Sequence, residues 1–333
     1  MIELVDLKAG ELMHRIDLNA SKLFANAQRK TSFADLDNWR NERFQAIHPI
    51  ATDNGDIIAK GFRAPLFRMT PCGETVWVYD ETMLHHTIER GPEGNFWSSN
   101  YIDPQQVEGM RGDFWDPGII AFNADGEILF ERSFTQVMLD HGLGGMILAG
   151  RKFDVDPIHL NDVEPVLEDG PYWRKGDLFL SLRNLSTIAL YRPSTDKIIW
   201  WKQGPWAAEH DVDVIDETTI SVFNNNTLDF GSGPFVDGHS DIVYYDFSTD
   251  TVYSPFANSL AEQEFMTETE GLFTALPDGH YIVEESDSAR VMIFTPAGEL
   301  AVEHVNRASS GLTFALGWSR YMNRASGAVS YTH

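Results

Sequence analysis

His48-Pro-Ile-Ala-Thr-Asp-Asn-Gly-Asp56, His86-Thr-Ile-Glu-Arg-Gly-Pro-Glu-Gly-Asn95 and His210-Asp-Val-Asp-Val-Ile-Asp216 share one layout: a histidine, an alternating stretch, then a turn. Gly271-Leu-Phe-Thr-Ala-Leu-Pro-Asp-Gly-His280 repeats the layout without the leading histidine. His159-Leu-Asn-Asp-Val-Glu-Pro-Val166 repeats it with Asn161 in register and the histidine two positions earlier. Equivalent positions of a structural repeat point at one common place. Histidines from distant parts of the chain are therefore expected to converge on an axis.

Outward from these phrases, the chain reads as strands. Val76-Trp-Val-Tyr79, Ile119-Ile-Ala-Phe122, Leu178-Phe-Leu-Ser-Leu182, Ile198-Ile-Trp-Trp201, Ile242-Val-Tyr-Tyr245 and Val291-Met-Ile-Phe294 are short β-branched and aromatic runs. Asn123-Ala-Asp-Gly126, Pro193-Ser-Thr-Asp196, Asp246-Phe-Ser-Thr-Asp250 and Pro296-Ala-Gly298 are tight turns that pair their flanking strands as neighbours. No amphipathic stretch is long enough for a crossover helix, which disfavours a parallel α/β sheet. Helix is expected only in inserts near Leu36 to Phe44, Phe134 to Asp140 and Asn258 to Glu264. Units of four strands repeated around an axis describe an all-β fold, a β-propeller. Gly311 to Tyr321 reads as inner strands without outer partners, and Ile2 to Ile16 as an outer hairpin without inner ones. Joining them predicts a six-bladed β-propeller of four-stranded blades over residues 1–333, its last blade closed by the N- and C-terminal segments. A pair of β-sandwiches is the competing fold.

The 50 acidic against 25 basic residues give a net charge of −25. That balance excludes a nucleic-acid partner, which needs a basic face, and disfavours an anionic membrane surface. It also means that any anion site must carry its own local cations. The single cysteine, Cys72, rules out an internal disulfide and any cysteine-based metal cluster. There is no apolar run long enough to span a bilayer and no signal peptide. The sequence thus reads as a cytoplasmic protein or as one whose export or anchor segment lies upstream of Met1.

Three segments carry the candidate chemistry: Asp156-Pro-Ile-His-Leu-Asn-Asp162, Gly176-Asp-Leu-Phe-Leu-Ser-Leu-Arg-Asn184, and Glu209-His-Asp-Val-Asp213 followed by Ser221-Val-Phe-Asn-Asn225. The ordered set H-x-N-D-V, G-D-x-x-x-S-x-R, W-x-x-G-P, H-D-x-D and S-V-F-N-N resembles the bacterial arylsulfotransferases. That resemblance is densest from Asp156 to Asn226. It implies a six-bladed propeller that moves a sulfuryl group from an aryl sulfate donor to a phenolic acceptor without a nucleotide sulfate donor or other cofactor. It places the covalently sulfated histidine at His210, a second active-site histidine at His159, the asparagine at Asn161 and the arginine at Arg183. A further histidine falls at His86, with His85 one position away; His86 is preferred because it aligns with His210. The family's hydroxyl position in the fifth repeat falls at Thr269 or Glu270, and a carboxylate at Glu270 would stand near the anion. His48 is expected to face the same channel. The family's habit of export implies a periplasmic protein, or one tethered to the membrane through a segment missing from the N-terminus; a homo-oligomer is left open.

The chemistry suits these residue types. Sulfuryl transfer, like phosphoryl transfer, has a loose transition state with charge on the peripheral oxygens and the leaving phenolate. A neutral imidazole nitrogen is a competent nucleophile, Asp211 can hold its tautomer, and Arg183 offers a fork matched to a sulfate edge. His159 can serve as general acid and then base, and Asn161 as a neutral donor. Two other readings compete. A non-catalytic propeller acting as a binding or scaffold module is suggested by Glu270 and the strong negative charge. A metal held by His86, His159 and His210 lacks any HExxH or Cys-His spacing, and Arg183 would repel the cation.

Overall fold

A computed structural model of the chain describes residues 1–149, 153–308 and 310–322. Five four-stranded antiparallel sheets follow one another along it. The first is Ala46–Ala51, Ile57–Gly61, Leu66–Met69 and Thr75–Tyr79; the second is Met83–Arg90, Phe96–Ile102, Asp116–Phe122 and Ile128–Ser133. The third is Leu160–Pro165, Leu178–Leu182, Thr187–Arg192 and Lys197–Gln203. The fourth is Val212–Val214, Thr219–Asn224, Asp241–Asp246 and Thr251–Tyr253; the fifth is Leu272–Ala275, Tyr281–Glu285, Arg290–Phe294 and Leu300–Val305. The first strands of the first four sheets lie side by side. This is the blade arrangement of a propeller, with the innermost strand first in each blade.

The burial patterns explain why these segments pair as they do. Leu178–Leu182 is buried at every position, because a middle strand of a blade is covered on both faces by its neighbours. Lys197–Gln203 alternates exposed and half-buried, as an outer strand with one wet face must. Apolar layers fill the gaps between blades: Ile119, Phe134, Val163, Leu180 and Tyr191 between the second and third, and Phe223, Ile242, Phe273 and Phe294 between the fourth and fifth. Each such side chain, fully buried, stabilises by roughly 1.5–3 kcal/mol. The expected helices form at Phe134–Asp140 and Ala257–Glu262, while the first insert contributes only a 3-10 turn at Leu36–Trp39.

The expected sixth blade is not formed among the described residues. The hairpin Ile2–Asp6 with Glu11–Ile16 is a two-stranded sheet of its own, packed through Ile2 and Ile16 on Ala59, Phe67 and Met69 of the first blade. The C-terminal stretch runs as an extended strap between the fifth blade and the first. Leu316 N–H donates to Ser286 O (3.2 Å), and His48 N–H donates to Gly317 O (2.8 Å). Trp318 N–H and Ser319 N–H both donate to the Glu284 carboxylate (3.1 and 2.6 Å). Side-chain carboxylates and single main-chain bonds hold this strap, so it does not enter a ladder with the N-terminal hairpin. Among the described residues the structure gives five blades, not six, and no sheet joins the N-terminal hairpin to the strap.

Candidate active site

Antiparallel order brings every inner strand in from the same end of the propeller. Most long connections, residues 17–45, 103–115, 134–149 with 153–159, 225–240 and 254–271, lie at that end; the other is closed by short turns and by the longer connection 166–177. Each blade enters its inner strand through a non-glycine residue in the left-handed region: His48 (φ 51), His86 (φ 47), His159 (φ 52), Ala208 (φ 56) and Glu270 (φ 57). Such backbone costs on the order of 1–3 kcal/mol and collects at functional sites. Three of these inner strands also carry bulges, between Ile47 and Ile50, His85 and Glu89, and Leu160 and Asp162. Bulges re-aim side chains, here toward the axis. The recurring conformation aligns His86 with His159, Ala208 and Glu270. His210 lies two residues after its left-handed residue, yet counted back from the bond that closes the following turn, Gly91 N–H to Asn95 O and Ile215 N–H to Thr219 O, His86 and His210 hold the same position.

Five imidazoles meet. The ring of His86 lies 5.3 Å from that of His210, 5.6 Å from His159, 6.4 Å from His48 and 4.0 Å from His85. His85 stands 4.7 Å from His159. Both members of the His85-His86 pair thus face the cluster. Glu270 joins it, with a carboxylate oxygen 3.3 Å from His86 Nδ1. Thr269, the other candidate for the fifth-repeat position, turns its hydroxyl to Asp287 instead. His210 and His48 are each 1% exposed, while the side chains of His159 and Glu270 keep 21% and 27% of their surface, so solvent reaches the cluster past those two.

The hydrogen bonds fix two tautomers. His210 Nδ1 faces two acceptors, Asn225 Oδ1 at 2.8 Å and Ala208 O at 3.1 Å. The Asn225 amide is itself oriented, because its Nδ2 donates to Thr267 O (3.0 Å) and Glu270 O (2.8 Å). The His210 proton therefore sits on Nδ1, and a neutral ring leaves the Nε2 lone pair free. His159 Nδ1 bonds Asp156 at 2.5 Å, and the other carboxylate oxygen of Asp156 accepts from the His159 main-chain N–H (3.2 Å). Tyr101 Oη lies 3.3 Å from both Asp156 and His85 Nε2.

Burial dominates the electrostatics. It drives His48, His85 and His210 well below the ordinary imidazole range and His86 below it, which favours the neutral ring. Burial also brings the Lys60 ammonium down to about 7, against the pull of Glu270. For Glu270, burial works upward, but the interaction with His86, its hydrogen bond, and the nearby His210 and His48 prevail and hold the carboxyl below its usual range. Glu209, on the residue before His210, is pushed up to about 8 by burial, against amide donors and the Arg183 charge.

The named candidates do not all take the expected parts. Arg183 opens the turn after Leu182; its N–H donates to His159 O (3.1 Å), its guanidinium donates to Asn184 Oδ1 (2.9 Å), and its charge is felt at His210. Asn161 is fully buried and its Nδ2 donates to Glu209 O (3.0 Å), so it positions the backbone at His210 instead of presenting that donor to a substrate. Asp211 does not hold the His210 tautomer: its carboxylate accepts from Phe273 N–H (2.8 Å), and Asn225 takes that part. The run Asn224-Asn-Asn226 thus supplies a buried partner to the site. Lys60 was missed as well; a lone charged residue in the apolar strand Ile57–Gly61 was the signal that could have revealed it.

Further along the same inner strands lies a second buried group: Glu89, Asp162, Glu164, Asp211 and Asp213, with Arg320 among them. Arg320 is bidentate to Glu89 (2.6 and 3.0 Å) and also donates to Ile88 O (2.7 Å). Asp162 accepts from Val212 N–H (2.9 Å). Burial first, and neighbouring carboxylates second, push Asp162, Glu164 and Asp211 well above the usual range and Asp213 to about 7.

The family model for arylsulfotransferase (ASST) matches residues 64–307. No curated protein matches the chain. Among solved structures, a protein of unknown function from Bacteroides caccae is similar with a TM-score of 0.51 at 12% identity, covering 78% of this chain and 81% of that one. A catalytically inactive virginiamycin B lyase from Staphylococcus aureus with quinupristin gives 0.43 at 12% identity, over 78% of this chain and 68% of its own. An auxiliary nutrient binding protein from Bacteroides thetaiotaomicron gives 0.46 at 12%, over 80% and 58%. The first of these likenesses speaks for the fold alone.

Proposed function

Because the chain belongs to the arylsulfotransferase (ASST) family, we propose that it moves a sulfuryl group from an aryl sulfate to a phenolic acceptor by way of a sulfo-histidine at His210. The observation that carries this reading is the His210 tautomer, with Nδ1 engaged by Asn225 and Ala208 and Nε2 left as a lone pair. Nε2 attacks sulfur in line, the S–O bond to the aryl group breaks, and the leaving phenolate takes the Nε2 proton of His159, which enters the step as the imidazolium and leaves it as the neutral Nδ1–H ring. His159, held through Nδ1 by Asp156, then accepts the proton of the incoming phenol while its oxygen attacks sulfur and the N–S bond breaks. The ring of His210 returns neutral. General acid–base help of this kind contributes about 10²–10⁴ in rate. Arg183 is the cation for the peripheral oxygens.

The test is incubation with a nitrophenyl sulfate. The expected result is one sulfuryl group gained on the His210 peptide, with phenol release that rises on adding an acceptor phenol. His210→Ala should lose the adduct and about 10³-fold or more in turnover. Absence of both adduct and phenol release across a range of pH would defeat the reading. A non-catalytic binding propeller is then the alternative, favoured by the Glu270 carboxylate facing the cluster; an aryl sulfate bound intact beside Arg183 would support it. The same proposal places the protein in the periplasm or on an anchor facing it, which cell fractionation checks. No helix among the described residues is long and apolar enough to cross a membrane.

A further inference from the structure

The axial cluster divides by blade. Arg183 and His159 come from the third blade and its entry, and His210 from the fourth, whereas Glu270, His48 and His86 come from the fifth, first and second. In that second sector one donor atom each from His48, His86 and Glu270 lie within 4.8 Å of one another. His48 is 1% exposed, and its Nδ1 is buried with no hydrogen-bond partner among the described residues. A buried nitrogen left open in this way is destabilising unless something fills it. Its ring is braced by Trp318 at 4.2 Å and its main chain by Gly317. Glu270 is fixed too: it is left-handed, and the Gly271 after it has φ 109 with a Cβ position only 2.3 Å from the Phe223 ring, so only glycine fits there. Considerable backbone strain thus puts a carboxylate where two imidazoles already stand.

We propose that His48, His86 and Glu270 bind a divalent first-row transition ion. Two imidazoles and one carboxylate, without sulfur, suit zinc, iron(II) or cobalt(II), and three protein ligands leave open positions for water or an oxyanion. Metal–nitrogen bonds of about 2.0–2.1 Å put ligand atoms about 3.4 Å apart in a tetrahedral site, so side-chain rotations of about an ångström close the set. The carboxylate cancels part of the ion's charge, and its 27% exposure gives the ion a way in from solvent. The other histidine triad, His85, His86 and His159, is less available. Both His85 nitrogens are engaged, by Leu160 O and Tyr101 Oη, and His159 Nδ1 is engaged by Asp156. Lys60, whose positive charge bears on His48 and His86, is the ion's competitor for Glu270. The inference stands independently of the sulfuryl reading, and its readout is separate.

The experiment is a titration of chelator-stripped protein with cobalt(II), followed by visible absorption, with zinc(II) titrated by calorimetry. One ion per chain is expected, with ligand-field bands that zinc displaces. His48→Ala and Glu270→Gln should each weaken binding about tenfold or more, scaled from the loss typical of supporting ligands. Lys60→Met should tighten it, and His159→Ala should leave it near wild type. Circular dichroism confirms that each variant is folded, and the isosteric Glu270→Gln decides if His48→Ala does not fold. No saturable binding by wild type, or wild-type affinity in Glu270→Gln, would overturn the site. Loss of binding in His159→Ala alone would overturn the assigned ligands.

Discussion

Two tiers of buried polar groups follow one another along the same inner strands, and they use their hydrogen-bonding capacity in opposite ways. In the carboxylate tier the bonds run between neighbours. Asp162 of the third blade accepts from Val212 of the fourth, Asp211 of the fourth from Phe273 of the fifth, and Glu284 of the fifth from Trp318 and Ser319 of the strap. Arg320 of the strap returns to Glu89 of the second blade. These contacts are staples around the axis. In the imidazole tier the bonds orient rings and stop: Asn225 holds His210, Asp156 holds His159, and Glu270 meets His86. Each of these three rings keeps a nitrogen for something else, whereas both nitrogens of His85 are engaged. Burial of titratable groups is common to both tiers; what separates scaffold from site is where the bonds run, from blade to blade in one and onto single rings in the other, even though Asp162 Oδ1 is buried without a partner among the described residues.

The sharpest way to break this comparison is to remove the one guanidinium of the carboxylate tier. Arg320→Met leaves Glu89 without its bidentate partner and releases the strap from the second blade. Breaking a buried pair by deleting one partner costs about 3–5 kcal/mol. Part of the Arg320 side chain is solvated, 23% exposed, so the lower end is expected. Urea unfolding should show the loss, with the sulfuryl adduct on His210 retained in whatever fraction stays folded. A variant as stable as wild type would mean that the strap is held by its main-chain bonds alone.

A smaller effect comes from a carboxyl on the histidine side. Glu209 is raised to about 8 from an ordinary value near 4.5. The folded state therefore binds a proton that the unfolded state has released. The stabilisation from this group is complete below about 4.5 and is lost as pH rises through about 8, since stability falls wherever the native state holds more protons. The slope from one group reaches at most about 1.4 kcal/mol per pH unit. Glu209→Gln should flatten the decline of unfolding free energy between mildly acidic and mildly alkaline solution, as read by denaturant titrations at several pH values. An unchanged slope would place the decline in the carboxylate tier alone.

How far the sequence carried the argument follows from the same geometry. The histidine phrases were legible as repeats because alternation and turns recur in each inner strand, and convergence of His48, His86, His159 and His210 followed from that alone. What alternation does not encode is a bulge. The left-handed residue and the bulge beside it shift the side chains without changing composition, so the sequence left open which of His85 and His86 faces the cluster, and in the structure both do. The sixth blade was misread for a related reason. The strap at 311–322 has the apolar content of an inner strand, yet it is fixed by Glu284, Ser286 and Glu89, contacts that come from residues far away in sequence. Asn225 was hidden in a run of three identical residues, of which one, fully buried, does the work at His210.

The smallest predicted effect is the most diagnostic for the staples. Burial first, and then Asp213 and Asp162, push the Asp211 carboxyl well above its usual range, toward the protonated form. A protonated carboxyl and a carboxamide have the same shape and the same carbonyl acceptor. Asp211→Asn should therefore keep the bond from Phe273 N–H and cost under about 1 kcal/mol, whereas Asp211→Ala strands that amide and should cost about 1–3 kcal/mol. The contrast is read as the difference in urea midpoint between the two variants at equal m-value. If Asn were as damaging as Ala, the group would be an ionised carboxylate whose charge the fold requires. The tier would then be a ring of anions awaiting a cation and not a set of neutral staples.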